Sequence, residues 1–228
     1  MRKLIIDNRF CDIATEYFKG RFKIIPSPVI GGLPPETNAH PDMGLVRVGD
    51  VFVSEPTIFD YYKSVLSGET VLCGKTVLSR HYPNDIAYNV LISETVAFGN
   101  EAFIDPVVKD VLKEQGMLLA SVRQGYSKCS AAHISGHIIT ADEGIANCAN
   151  KNGLKALLIS PGDVALKGYD YGFIGGAAGE IDKNLCFFGD LTKHRDFEKM
   201  NAFFNENNIK YEFIKNVPLT DVGTMLLV

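Results

Sequence analysis

The chain has 228 residues, 46% hydrophobic, 22% charged and 10% aromatic, with a formal net charge of −4. This is enough chain to bury a sizeable core. A charge so near neutral carries no nucleic-acid or membrane-surface footprint, no apolar run reaches the 18 or more residues of a membrane span, and "MRKLIIDNRFCD" lacks the apolar stretch of a signal peptide.

Five amphipathic helices are read in chain order, over Cys11–Arg21, Pro56–Ser67, Pro106–Gln115, Glu143–Asn152 and His194–Asn207. Each spaces its apolar residues at helical intervals, such as Ile58, Tyr62, Val65 and Leu66 in the second. Pro56 and Pro106 suit a first turn, and Gly68, Gly116 and Gly153 suit helix ends. A strand-like run follows each helix: "FKII" at 22–25, "TVLC" at 70–73, "MLLASV" at 117–122, "KALLIS" at 155–160 and "KYEFI" at 210–214.

After each run and a loop comes a hairpin-like pair, beginning at Asp42, Asp85, Ser130, Gly175 and Asp221, which lie 43, 45, 45 and 46 residues apart. Turn residues fall inside the first four pairs, at Gly49-Asp50, Ser93-Glu94, Gly136 and Asp182-Lys183-Asn184. The fifth pair is half missing. "KLIIDN" at 3–8 leads into the first helix as "VFVSEP", "ITADE" and "CFFGD" lead into theirs, so the N-terminal strand is expected to complete the fifth unit. The fold expected is α/β: five pseudo-repeats of ββαβ type in one domain over residues 1–228, closed into a ring with no open sheet edge. A mixed α/β sandwich with accidental spacing is the alternative.

Three stretches sharpen this pattern: "HPDMGLVRVGD" at 40–50, "NDIAYNVLIS" at 84–93 and "HISGHIIT" at 133–140. With the five-unit pattern they resemble the guanidino-group-modifying enzymes, or penteins, a five-fold pseudosymmetric α/β propeller. That family includes arginine deiminase, dimethylarginine dimethylaminohydrolase, amidinotransferases, agmatine deiminase and a non-enzymatic translation factor. The resemblance implies Asp42 and Asp85 as substrate-facing aspartates and His133 as the catalytic histidine. In that chemistry a thiolate attacks the guanidinium carbon, carboxylates hold the cationic nitrogens and histidine moves protons.

Two departures stand out. The family's nucleophilic cysteine lies in the fifth unit, but "PLTDVGTMLLV" contains none, and the last cysteine is Cys186. The family's second-unit glutamate is Tyr82 here.

Asp42, Asp85, His133 and Asp221 occupy equivalent hairpin mouths and are expected to converge on the ring centre, with the aspartates binding substrate. The plainer reading of each aspartate is a turn or strand cap. Cys129 stands one residue before the third hairpin and is the thiol that could replace the missing nucleophile, with His133 as base; a lone cysteine is also a small buried hydrophobe. The series Cys129, His133, His137 has no zinc spacing, so no metal and no cofactor are expected, and His137 reads as a surface or satisfied core histidine. Lys75, Arg80, Arg123, Lys128 and Lys167 are loop cations that would suit a ligand with an anionic end. "GETVLCGKT" at 68–76 misses the P-loop spacing. "GFIGGAAG" at 172–179 misses the dinucleotide fingerprint, and its small residues suit close backbone approach at the centre.

Five cysteines, an odd number without a CxxC, point to a reduced, cytoplasmic protein. Two functions follow. One is a divergent guanidino-modifying protein with a central polar site for a guanidino or amino-acid-like small molecule and C–N hydrolase chemistry through a non-standard nucleophile. The other is a non-catalytic pentein that binds a ligand or protein. No nucleic-acid or membrane partner is expected, and nothing in the chain opposes a homo-oligomer.

Overall fold

The computed structural model describes residues 1–228. In chain order the elements are β1 (Lys3–Asp7), α1 (Cys11–Tyr17), β2 (Lys23–Ser27), α2 (Pro41–Gly44), β3 (Leu45–Val48), β4 (Val51–Ser54), α3 (Phe59–Val65), β5 (Thr70–Cys73), β6 (Leu91–Ile92), β7 (Val96–Gly99) and α4 (Pro106–Glu114). There follow β8 (Leu118–Ser121), α5 (Ser127–Ser130), β9 (Ala131–Ile134), β10 (His137–Thr140), α6 (Glu143–Lys151), β11 (Lys155–Leu158), β12 (Ala178–Ile181), β13 (Asn184–Phe187), α7 (Phe197–Glu206), β14 (Tyr211–Phe213) and β15 (Leu226–Leu227). No helix is long and apolar enough to cross a membrane.

These strands form five three-stranded sheets of one design: β3-β4-β5, β6-β7-β8, β9-β10-β11, β12-β13-β14 and β15-β1-β2. In each, an antiparallel pair is extended by a parallel third strand reached through the helix, as in Leu45↔Ser54 followed by Ser54↔Cys73. The fifth pair joins the two chain ends: β15 runs antiparallel to β1 through Leu4↔Leu227 and Ile5↔Leu226, and β1 runs parallel to β2.

The middle strand of each sheet is covered on both faces, which is why "LIID", "FVS", "VAFG", "HIIT" and "LCFF" are apolar runs with little alternation. Phe52, Phe98, Ile138, Ile139, Leu185 and Phe187 have no exposed surface. The third strands lie outermost, where Leu72, Leu118 and Leu158 are 37%, 55% and 37% exposed.

A repeated pair of signals bounds the helical segments. An acidic side chain accepts a backbone N–H at each entry: Asp7 from Arg9, Glu55 from Thr57, Asp105 from Val107, Asp142 from Ile145 and Asp190 from Thr192. This satisfies an otherwise orphaned donor. A left-handed residue lies past each exit, at Gly20, Gly68, Gly116, Gly153 and Asn208, with φ between 54° and 102°. These exits make the helices shorter than their periodicity implies, most clearly α1, which ends at Tyr17. The second segment also starts late, because Pro56–Ile58 is a 3-10 turn, and the fifth starts at Phe197, after a bend and turn over residues 194–196. The one-turn helices α2 and α5 fall where the sequence pattern implies loop and strand start; at four residues they are too short to show a period.

Candidate functional site

A cavity of about 810 Å³ is walled by one strand from each sheet, through Val46 of β3, Leu91 of β6, His133 of β9, Glu180 of β12 and Leu226 of β15. Where the chain enters these strands it is lined by Asp42, Tyr88, Lys128 and Thr224; where the chain leaves them, by Arg47, Asp182, Lys183 and Val228.

The entry end holds a buried polar cluster built on the two short helices. The α2 turn starts at Pro41, whose missing N–H and fixed φ suit a first helical position, and presents Asp42. Asp42 is 2% exposed. The α5 turn presents Lys128 and Cys129. The Cys129 thiol donates to Asp42 Oδ2 at 3.1 Å. The Asn89 amide donates to Cys129 Sγ at 3.0 Å and to the Asp42 carbonyl at 3.1 Å. Its oxygen accepts from the backbone N–H of Lys128 at 2.9 Å and of Cys129 at 3.2 Å. Asn89 thus fastens α5 to α2. Lys128 Nζ has one long bond, 3.4 Å, to the Gly175 carbonyl. Asp42 Oδ1 has no partner.

Burial sets the protonation of the cluster. It pushes the Asp42 carboxyl up to about 6, against the pull of the Lys128 ammonium. It pushes the Cys129 thiol well above its ordinary value, and Asp42 and Asp221 push the same way. Lys128 is lowered by burial and raised by Asp42. The resting thiol is therefore protonated, unlike a thiol poised as a nucleophile.

Asp221 lies beside this cluster, raised by burial and by Asp42. Its Oδ2 accepts from Phe173 N at 2.8 Å and its Oδ1 from Gly223 N at 3.0 Å. The glycines of "GFIGGAAG" make this approach possible. A Cβ on Gly176 would stand 2.0 Å from Asp221 Oδ1, and one on Gly172 would stand 2.5 Å from Asp221 Cβ. His40, 2% exposed, lies between two carboxylates, with Nδ1 3.7 Å from Asp221 Oδ1 and Nε2 3.7 Å from Asp7 Oδ2. Burial lowers its pKa against the pull of both. Asp7 is also bound by Arg9, which donates to the Pro35 and Glu36 carbonyls and so ties down the loop carrying His40.

The other candidates stand apart. Asp85 is buried, and its Oδ2 accepts from the Tyr126 hydroxyl at 2.6 Å while Oδ1 has no partner. His133 lines the cavity wall, two residues into β9, and its Nε2 lies 3.1 Å from Glu94 Oε2. That contact pulls the Glu94 carboxyl down to about 2. His133 has no hydrogen bond to Asp42, Asp85 or Asp221; a side chain two residues along the strand faces the wall beyond the mouth. His137 places Nδ1 2.7 Å from the Ser135 carbonyl and its ring against Phe203. Of the five loop cations, Lys128 lines the cavity; Arg2, Arg47 and Lys183 line it too and carried no motif signal. No three His, Cys, Asp or Glu side chains are grouped to hold a metal ion.

Sequence reasoning missed His40 and Asn89. His40 had a readable signal, since it opens the "HPD" stretch two residues before Asp42. Asn89 had none, because its partners lie 40 and 47 residues away in the chain.

Solved structures share this architecture. A cysteine-to-serine mutant of dimethylarginine dimethylaminohydrolase from Pseudomonas aeruginosa, complexed with citrulline, aligns with a TM-score of 0.58 at 8% identity, over 94% of this chain and 92% of that one. A cysteine-to-serine mutant of C. jejuni agmatine deiminase with substrate bound aligns at 0.59 and 9% identity, over 99% and 92%. The cyanobacterial arginine dihydrolase ArgZ aligns at 0.58 and 13% identity, over 96% of this chain and 37% of that one. At these identities the likeness is one of fold, and the fold is that of the penteins. No curated protein matches the chain in sequence. Residues 5–226 match the model of a family of unknown function, DUF6873, and the chain belongs to that family.

Proposed function

We propose that the protein is a divergent pentein, one domain whose five sheets form a closed, five-fold pseudosymmetric propeller, and that its central cavity binds a small ligand with a guanidino or amino head. The wall of five strands, one per sheet, supports the closed ring. The observation that carries the ligand is Asp42 Oδ1, a buried carboxylate oxygen without a partner in a residue that lines the cavity. An unpaired buried acceptor is costly, and a guanidinium or ammonium would satisfy it with a charge-assisted hydrogen bond. Lys128 Nζ, held by one 3.4 Å bond, is free to receive an anionic group such as an amino-acid carboxylate. The structural neighbours named above, two of them bound to citrulline or substrate, make guanidino and ureido compounds the first candidates.

Titrating the isotope-labelled protein with agmatine and arginine tests this reading. Saturable shifts are expected in amides of β3, β9 and β15, and in Asn89, which bridges Asp42 and Lys128. Shifts absent from these residues at millimolar ligand would overturn it.

A second reading rests on the 3.1 Å contact between Cys129 and Asp42. With a guanidino compound bound, the thiol proton would pass to Asp42, sulfur would bond to the guanidinium carbon, and the C–N bond would break with ammonia leaving. Water would then cleave the C–S bond to give the ureido product and restore the thiol. Ammonia release that is lost in Cys129→Ser supports this chemistry. Ligand binding without turnover leaves the protein a binding module.

A further inference from the structure

A second cavity, of about 220 Å³, lies between the third and fourth units and shares no lining residue with the central one. Its volume equals about seven liquid waters, room for a small organic molecule with about that many heavy atoms. Ile159, Val164 and Ile174 supply apolar wall, and Tyr171 and Phe173 supply aromatic wall.

Three polar groups in its lining have hydrogen-bonding capacity to spare. Ser130 is 4% exposed and its hydroxyl has no partner. His194 is 3% exposed, and its Nδ1 accepts the backbone N–H of Asp196 at 3.1 Å. The neutral ring therefore carries its proton on Nε2, and this donor has no bond to the protein. Burial lowers the His194 pKa, which keeps the ring neutral. Asp142 uses Oδ1 to cap α6 at 2.8 Å, while Oδ2 holds only the Gln124 amide at 3.3 Å. The cavity lining thus offers a carboxylate oxygen, an N–H donor and a hydroxyl that can act either way.

We infer that this cavity is a second binding site, for a small primary amine that also carries a hydroxyl or carbonyl oxygen. The ammonium donates to Asp142 Oδ2 and faces the rings of Tyr171 and Phe173, an arrangement that favours a cation. The ligand oxygen accepts from His194 Nε2–H, and the Ser130 hydroxyl completes whichever group lies nearer. An anion is rejected by Asp142, and an alkane leaves the buried Ser130 hydroxyl and His194 Nε2–H without partners.

The test uses ethanolamine and glycinamide as probes and ethylene glycol as the uncharged control, titrated into the isotope-labelled full chain. Amide shifts of Ser130, Gly162 and Gly172 and the imidazole nitrogens of His194 are followed together. Saturable binding of the amines is expected, weaker for ethylene glycol, with the His194 proton remaining on Nε2. Ser130→Ala deletes an unpaired hydroxyl, so the free protein keeps its stability. Asp142→Asn keeps an N-cap side chain. Each is expected to weaken amine binding about tenfold, the loss of one good hydrogen bond, and Asp142→Asn also removes the preference over ethylene glycol. The inference is overturned if the probes produce no saturable shift at these residues, or if neither variant changes the affinity.

Discussion

Replacing Asp42 by asparagine removes one buried charge and little else. The new side chain would still offer a carbonyl oxygen to the Cys129 thiol, and its amide would replace the carboxylate oxygen that has no partner. In the wild type, burial raises the Asp42 carboxyl from 3.8 to about 6. A rise of about two, at about 1.4 kcal/mol per pKa unit, amounts to about 3 kcal/mol of linkage. A carboxyl whose folded pKa lies above its unfolded value keeps its proton in the folded state while the unfolded chain releases it. Its contribution to stability is therefore complete below about pH 4, falls as pH rises through about 6 and stays lost above. Asparagine has no such loss. Urea unfolding of both proteins from pH 4 to pH 7 reads the difference directly, because other titrating groups largely cancel. Relative to wild type, Asp42→Asn should gain about 3 kcal/mol across that range. Parallel profiles, with the difference constant to within about 1 kcal/mol, would show that Asp42 is not the buried, raised carboxyl described here.

Gly176→Ala would press a methyl group to 2.0 Å from Asp221 Oδ1, which belongs to a carboxylate that two backbone N–H groups hold in place. A loss of about 1–3 kcal/mol or more in urea unfolding is expected, with Asp221→Ala costing less in that background than alone; additive effects would contradict the contact. Thiol labelling should find Cys73, on an exposed strand, modified first and the buried Cys129 and Cys186 last. Rapid modification of Cys129 in the folded protein would refute the protonated, buried thiol and favour the covalent reading.

The five units were legible because each repeats a 3.6-residue helical period, a strand-like run and a hairpin start at near-constant spacing, with Gly68, Gly116 and Gly153 marking three of the helix ends. The closing of the fifth sheet by "KLIID" was legible for the same reason, since that strand leads into α1 as its counterparts lead into theirs. Asp42 and Asp221 could be placed near one another from their repeat positions. His133 could not be placed from the motif resemblance alone. "HISGH" gives its position along β9 but not the side chain across the hairpin edge, and Glu94, 39 residues earlier, takes its Nε2. Asn89 and His40 are set by tertiary contacts with no periodic trace. The second cavity is likewise assembled from loops, where packing rather than pattern determines which polar groups face one another.

Isothermal titration of wild type and Asp42→Asn with agmatine and arginine, at pH 7.5 and again at pH 5, tests the central cavity most directly. Wild type should bind one ligand per chain, more tightly at pH 7.5, where Asp42 is ionised, than at pH 5, where it is protonated. Asp42→Asn should bind at least about tenfold more weakly at the higher pH, the worth of a charge-assisted hydrogen bond. Affinity that is the same in both proteins and at both pH values, or no binding of either compound, would contradict the assignment of Asp42 as the group that receives the cationic head.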